Sequence, residues 1–207
     1  MSSGLKHILL NLCLKKINIM KKLTVLFGSI ALILFTSFQS EDPITYSLDK
    51  AHSRLGFKIK HMGIVDINGE FNKFDVKVNL NNGSWDGSSI EMTAESKSIY
   101  TGIEMRDNHL RSADFFDVEK YPTLTFKSTS VKKVKNKYII SGDFTMHGIT
   151  KNLKLILEST GVAKKGDTEA VGLRIIGVVK RSDFKIGEPS GGLADEVQLI
   201  ADLELTK

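Results

Sequence analysis

Cysteine is almost absent from this chain of 207 residues. The single one, Cys13, falls in an N-terminal stretch that reads as a leader, so the rest of the chain can form no disulfide, no thiol nucleophile and no cysteine-based metal site. Tryptophan is nearly absent too, with Trp85 alone. His-x-His, His-Glu-x-x-His and Cys-x-x-Cys spacings are missing. A zinc or haem site needs three or four converging ligands, and His52 and His61 have opposite parity along their segment. No metal and no cofactor is therefore expected. Nor is there a glycine loop to cradle a phosphate. Gly187-Glu-Pro-Ser-Gly-Gly192 lacks the strand-to-helix setting of a nucleophile elbow, so the chain does not read as an enzyme.

A surplus of positive charge also vanishes on inspection. The formal net charge is +5, but residues 1–40 carry five lysines (6, 15, 16, 21 and 22) and no acid. The remainder has 24 basic against 24 acidic residues. A basic chain would suggest nucleic acid as a partner; a neutral one does not. Within the first 40 residues, Met20-Lys-Lys precedes an apolar run from Leu23 to Phe35. That is the pattern of a secretory signal, and it is shorter than the roughly 20 apolar residues of a membrane span. An uncleaved N-terminal anchor is the competing reading. The expectation is a leader over 1–40, with Met20 as an alternative start, and a working domain over 41–207, periplasmic or secreted.

What is present is alternation. Apolar residues recur every second position, as in half-buried strands: Leu55, Phe57, Ile59 with His61 in register; Phe74, Val76, Val78, Leu80; Ile90, Met92, Ala94; Leu124, Phe126; Tyr138, Ile140, Phe144, Met146; Leu153, Leu155, Leu157; Val171, Leu173, Ile175, Val179; and Val197 to Leu205. Asn82-Gly83 and Asp86-Gly87 mark turns, and the lysine-rich run 132–137 reads as a solvated hairpin tip. With no long amphipathic helix to cover a sheet face, the sheet must cover itself. The reading is all-β: an extended antiparallel β-barrel of about eight strands. Whether its side chains fill it or leave it hollow for an apolar ligand is not decided by alternation.

The alternation stops once, between Ser98 and Phe126. Thr101 with Glu104 three positions on suggests a helix capping box. Ile103, Leu110, Phe115 and Phe116 provide an apolar side, and Arg106, Asp107, His109, Arg111 and Asp114 a polar one. Pro122 then starts an extended segment. Such a short helical insertion could close one end of the barrel. Its charged residues read either as a network locking the plug to the rim or as a cationic mouth for a phosphate or carboxylate head. His61 is either a satisfied core histidine or a headgroup contact. Phe115-Phe116 reads as core filling.

These blocks carry a resemblance. Thr101-Gly102, Arg106-Asp107, His109-Leu-Arg-Ser112, Asp114-Phe-Phe-Asp117 and Tyr121-Pro122 resemble the YceI-like family of bacterial periplasmic lipid-binding proteins. Asp49-Lys-Ala-His-Ser53, Phe57-Lys-Ile-Lys-His61, Gly69-Glu-Phe71, Gly142 to Lys151 and Arg181-Ser-Asp-Phe184 agree in order, from about 44 to 206. One departure is Lys185, where the family usually has glycine. The resemblance implies a lipocalin-like barrel with a tunnel-shaped apolar cavity and no established catalysis. It implies a long-chain lipid partner, of polyisoprenoid or fatty-acyl type, carried or stored in the cell envelope. Transient membrane contact and a homodimer are further expectations; a filled barrel with a structural or stress role is the alternative. By strand parity the bore falls to Leu55, Phe57, Ile59, Phe74, Val76, Phe126, Ile140 and Phe144, with His61, Arg106 and His109 as polar contacts.

Overall fold

The computed structural model describes residues 44–166, 168–188 and 192–207. The leader expected over 1–40 and part of the 187–192 loop lie outside them. The described residues form eleven strand segments in one antiparallel sheet. These are β1 (Thr45–Leu48), β2 (Arg54–His61), β3 (Val65–Phe71), β4 (Phe74–Asn81), β5 (Ser84–Glu95), β6 (Ile99–Tyr100), β7 (Thr123–Val134), β8 (Lys137–Met146), β9 (Ile149–Lys165), β10 (Thr168–Lys180) and β11 (Leu193–Thr206). One helix, α1 (Glu104–Arg111), lies between β6 and β7.

Register reduces the eleven segments to eight staves. β1 and β2 both pair antiparallel with β11, at its C-terminal end and along its middle respectively. They are one stave broken by the short 3-10 turn Lys50–His52, which Asp49 caps by accepting the Ala51 N–H. β4 and β3 pair with those two halves and form a second stave, bent at Asn72 and Lys73. β5 and β6 form a third, interrupted at Ser96–Ser98. Each stave pairs with the next in sequence, and β11 returns to β1: an up-and-down barrel of eight antiparallel strands. The alternating sequence thus serves a closed wall with an apolar inside.

The inside is not uniform. Val78, Ile90, Val131, Ile140, Leu157, Leu173 and Leu205 are almost wholly buried and fill the end where β1 closes the ring. At the other end β6 is only two residues long and α1 stands between it and β7. The expected capping box does not form. The helix starts at Glu104 behind Ile103, with no side-chain cap. Thr101 instead gives its backbone N–H (2.9 Å) and its hydroxyl to Asp107 Oδ1. Ile103 is half exposed rather than packed, and Asp107 is buried rather than facing water. Arg111 staples the helix down, donating to the carbonyls of Lys97 (2.9 Å) and Ile99 (2.8 Å).

Two glycine-type positions explain motif residues. His147 and Gly148 both take positive φ (53° and 72°) in the β8–β9 turn. A Cβ at Gly148 would lie 2.6 Å from Tyr121 Cε1, and the Tyr121 ring packs edge-on to His147. Lys185 is left-handed (φ 54°, ψ 41°) where the resembled family carries glycine, so the turn survives the departure. Asp86-Gly87 makes no second turn; it lies within β5 after the turn at Asn82-Gly83.

Candidate functional site

Between the filled floor and the helical plug the barrel keeps a cavity of about 150 Å³. Its wall comes from inward positions of several staves. Leu55, Phe57 and Ile59 on β2 face Val197 and Leu199 on β11, with Phe71, Met92, Leu124, Phe144 and Val179 around them. The plug supplies Leu110, Phe115 and Phe116 as its roof. Aromatic contacts tie wall to plug: Phe57 to Phe71 at 5.9 Å between centroids, then Phe71 edge-on to Phe116 at 5.8 Å. Phe57 lies across Gly69, where a Cβ would fall 2.3 Å from the ring. Glycine there gives the ring its room.

Among the described residues, three polar side chains line this cavity: Thr101, Arg106 and Arg181. Arg106 donates from Nε to Thr101 Oγ1 and from its guanidinium to the Thr101 carbonyl, both at 2.7 Å. Through Thr101 it is linked to the buried Asp107 carboxylate. Arg181 is 6 % exposed and spends its donors on the carbonyls of Ile186 (2.7 Å), Ala194 (3.0 Å) and Leu193 (3.4 Å). It thereby ties Ile186 to the start of β11 beside the cavity. It does not join the acids of the plug; it meets the plug at Gly187, where its guanidinium and the Phe115 ring leave no space for a Cβ. Beside it Asp195 accepts from the Ser182 N–H (2.8 Å) and hydroxyl (2.7 Å), which hold its carboxyl below the usual carboxylate range.

Next to the cavity lies a surface cleft of about 510 Å³ lined by His61, Ile67, Arg106, His109, Leu110, Phe115, Gly192 and Leu193. Ile67, Arg106, Leu110, Phe115 and Leu193 line both spaces, so they form the seam between them. This is the mouth. A second cleft lies outside, where the first two staves break; Leu55 and Phe71 stand between it and the cavity.

The residues expected in the bore divide accordingly. Leu55, Phe57, Ile59 and Phe144 line the cavity, and Arg106 sits at its seam. His61 and His109 stand exposed at the mouth; His109 pairs with the exposed Asp114 at 3.4 Å. His61 is no core histidine, because β2 runs on past the barrel rim while keeping its parity. Phe74 faces the outer cleft. Val76, Phe126 and Ile140 are buried in the core and do not line the cavity. Residues not anticipated as lining include Ile67, Phe71, Met92, Arg181 and Ile186. Met92, Val197 and Leu199 carried the right alternation, but parity does not say at which height along the barrel a side chain stands.

The model of the YceI-like domain matches residues 46–205. The chain belongs to the YceI-like family. A UPF0312 protein of Pectobacterium carotovorum is 36 % identical over 165 residues, covering 77 % of this chain and 84 % of that one. The crystal structure of the Campylobacter jejuni YceI protein superposes with a TM-score of 0.66 at 34 % identity, covering 81 % of this chain and 99 % of that one. A polyisoprenoid binding domain from Saccharophagus degradans shares the fold, with a TM-score of 0.56 at 16 % identity over 77 % of this chain and 97 % of that one. Among the described residues, the cavity lining carries no serine, histidine or carboxylate placed to move a proton.

Proposed function

We propose that this YceI-like barrel binds one long-chain apolar or amphiphilic lipid, of polyisoprenoid or fatty-acyl type. It holds part of the chain in the cavity and the head at the mouth, and it carries or stores that lipid in the cell envelope, outside the cytoplasm. The observation behind this is an apolar cavity in a closed barrel, with one of its few polar side chains, Arg106, at the seam with the surface cleft. The polyisoprenoid binding of the Saccharophagus degradans domain describes that protein and supplies a ligand class to test here. No catalysis is proposed.

Size limits the reading usefully. An apolar cavity of comparable volume holds one benzene-sized guest. The present one therefore takes about six carbons without rearrangement. At roughly 0.8 kcal/mol per buried methylene, that segment contributes about 5 kcal/mol, equivalent to binding of the order of 0.2 mM. A longer chain gains more only if flexible lining side chains such as Met92, Met146 and Leu199 swing aside. The small volume also favours a second reading, a nearly filled barrel with a structural or stress role and no ligand. A homologous series of fatty acids separates the two. A lipid binder shows affinity rising with chain length well beyond six carbons; a filled barrel shows no binding at any length.

A further inference from the structure

The β2–β3 connection does something a soluble hairpin ordinarily avoids. Met62, Ile64 and Val65 are 60 %, 83 % and 51 % exposed, large apolar side chains clustered at one turn. Met62 and Gly63 both take positive φ (52° and 73°), and the Ile64 N–H donates to the His61 carbonyl at 3.1 Å. That is the backbone of a mirror-image turn, which favours asparagine or glycine at both centres. Asn82-Gly83 follows the rule at the next hairpin, with φ 49° and 75°. Methionine at such a position costs conformational energy and here gains little packing in return.

The turn stands at the mouth. Its Met62 N–H donates to the Gly192 carbonyl at 2.8 Å, and the Met62 sulfur lies beside Gly192, which lines the mouth with His61. Basic side chains stand near the turn. Lys58 and Lys60 on the outer face of β2 share a single partner, Asp66, at 3.3 and 2.8 Å. Among the described residues the mouth lining holds Arg106, His61 and His109 and no carboxylate, with Asp114 beside His109 at 3.4 Å.

We propose that this turn is a membrane-docking tip: Met62, Ile64 and Val65 enter the acyl boundary of an anionic bilayer, the flanking cations meet its headgroups, and the mouth is thereby held against the surface from which lipid enters. Apolar fingers with a basic surround are how a peripheral protein binds such an interface. The inference rests on the lipid-binding reading above. It adds the partner surface and the residues that touch it.

The test uses the protein as isolated from its cells, with Ile64→Asp and Met62→Asn variants. Flotation with vesicles of equal phosphatidylethanolamine and phosphatidylglycerol measures docking. Uptake of a fluorescent long-chain fatty acid is followed from those vesicles and, separately, from a cyclodextrin complex in solution. Ile64→Asp is expected to lower vesicle partition about tenfold or more and to slow uptake from vesicles, with uptake from cyclodextrin unchanged. Met62→Asn is expected to weaken partition while raising the melting temperature, since asparagine adopts the left-handed conformation more readily. A misfolded protein would not give that second pair of effects. Partition and vesicle uptake unchanged in both variants would overturn the proposal. So would a parent that ignores vesicles and instead dimerises through the turn, with Ile64→Asp monomeric. Failure of the lipid-binding reading looks different: no uptake by either route.

Discussion

Gly69→Ala is the sharpest perturbation of the cavity. Gly69 pairs directly with Phe57 across β2 and β3, and a methyl there would lie 2.3, 2.7 and 2.9 Å from three carbons of the Phe57 ring. Ordinary carbon–carbon contact is about 3.5–4.0 Å, so the ring must withdraw by roughly 1 Å or more. Phe57 lines the cavity, and the cavity is where the ring can go. Overpacking a full core costs about 1–3 kcal/mol. With space to yield into, the loss of stability should sit near 1 kcal/mol. The ligand loses that space. Displacing about two methylenes at roughly 0.8 kcal/mol each weakens binding about 15-fold. Gly177→Ala is the control. Its methyl would lie 2.2 Å from Leu155, which does not line the cavity, so it should destabilise without a specific effect on binding. Fluorescent fatty-acid displacement with thermal denaturation reads both. A folded Gly69→Ala variant with parental affinity would refute the assignment of Phe57 to the ligand-bearing wall.

Other perturbations test the frame. Arg111→Met removes two bonds from the plug to the Lys97 and Ile99 carbonyls and should cost about 1–2 kcal/mol in chemical denaturation, with faster hydrogen exchange in α1. Lys185→Gly relieves a left-handed lysine and should stabilise by about 0.5–1 kcal/mol, read as a higher denaturation midpoint. Tyr46, on the stave that closes the ring, donates to Glu169 at 2.8 Å; burial, with the Glu169 hydrogen bond and charge, pushes its hydroxyl up to about 12. Because the folded value lies above the ordinary one near 10, this stabilisation is complete below pH 10 and is lost as pH rises through 12. Tyr46→Phe should lose about 1 kcal/mol at neutral pH, and ultraviolet titration should lose its most alkaline tyrosine.

Much of the barrel was readable because period-two alternation is imposed by a wall with one apolar face. Leu55, Phe57 and Ile59 point inward because each differs from the last by two residues, and nothing tertiary can change that without a bulge. The eight staves were legible for the same reason. Their division into eleven segments was not, because the breaks at Lys50–His52, Asn72–Lys73 and Ser96–Ser98 arise from side-chain and backbone bonds made with other staves, such as the Asn72 N–H to the Ser98 carbonyl. Height along the barrel was also hidden. Ile140 has the parity of Phe144, yet it belongs to the filled floor while Phe144 lines the cavity. In the plug, local propensity pointed to Thr101 as a cap; the buried Asp107 takes Thr101 instead, because a buried carboxylate needs donors more than an exposed helix end does. Arg181-Ser-Asp-Phe184 read as an extension of the plug's charged network from another strand, since nothing in a lone arginine shows that three backbone carbonyls await it.

The central claim is that the cavity above the floor holds a lipid. Native mass spectrometry of the protein isolated from its own cells without detergent, followed by organic extraction, tests it most directly. The account predicts a mass increment of one long-chain lipid per chain, released into the organic phase and diminished in Gly69→Ala. A bare mass, together with a melting temperature that no polyprenyl or fatty-acyl compound raises in proportion to its concentration, would contradict it.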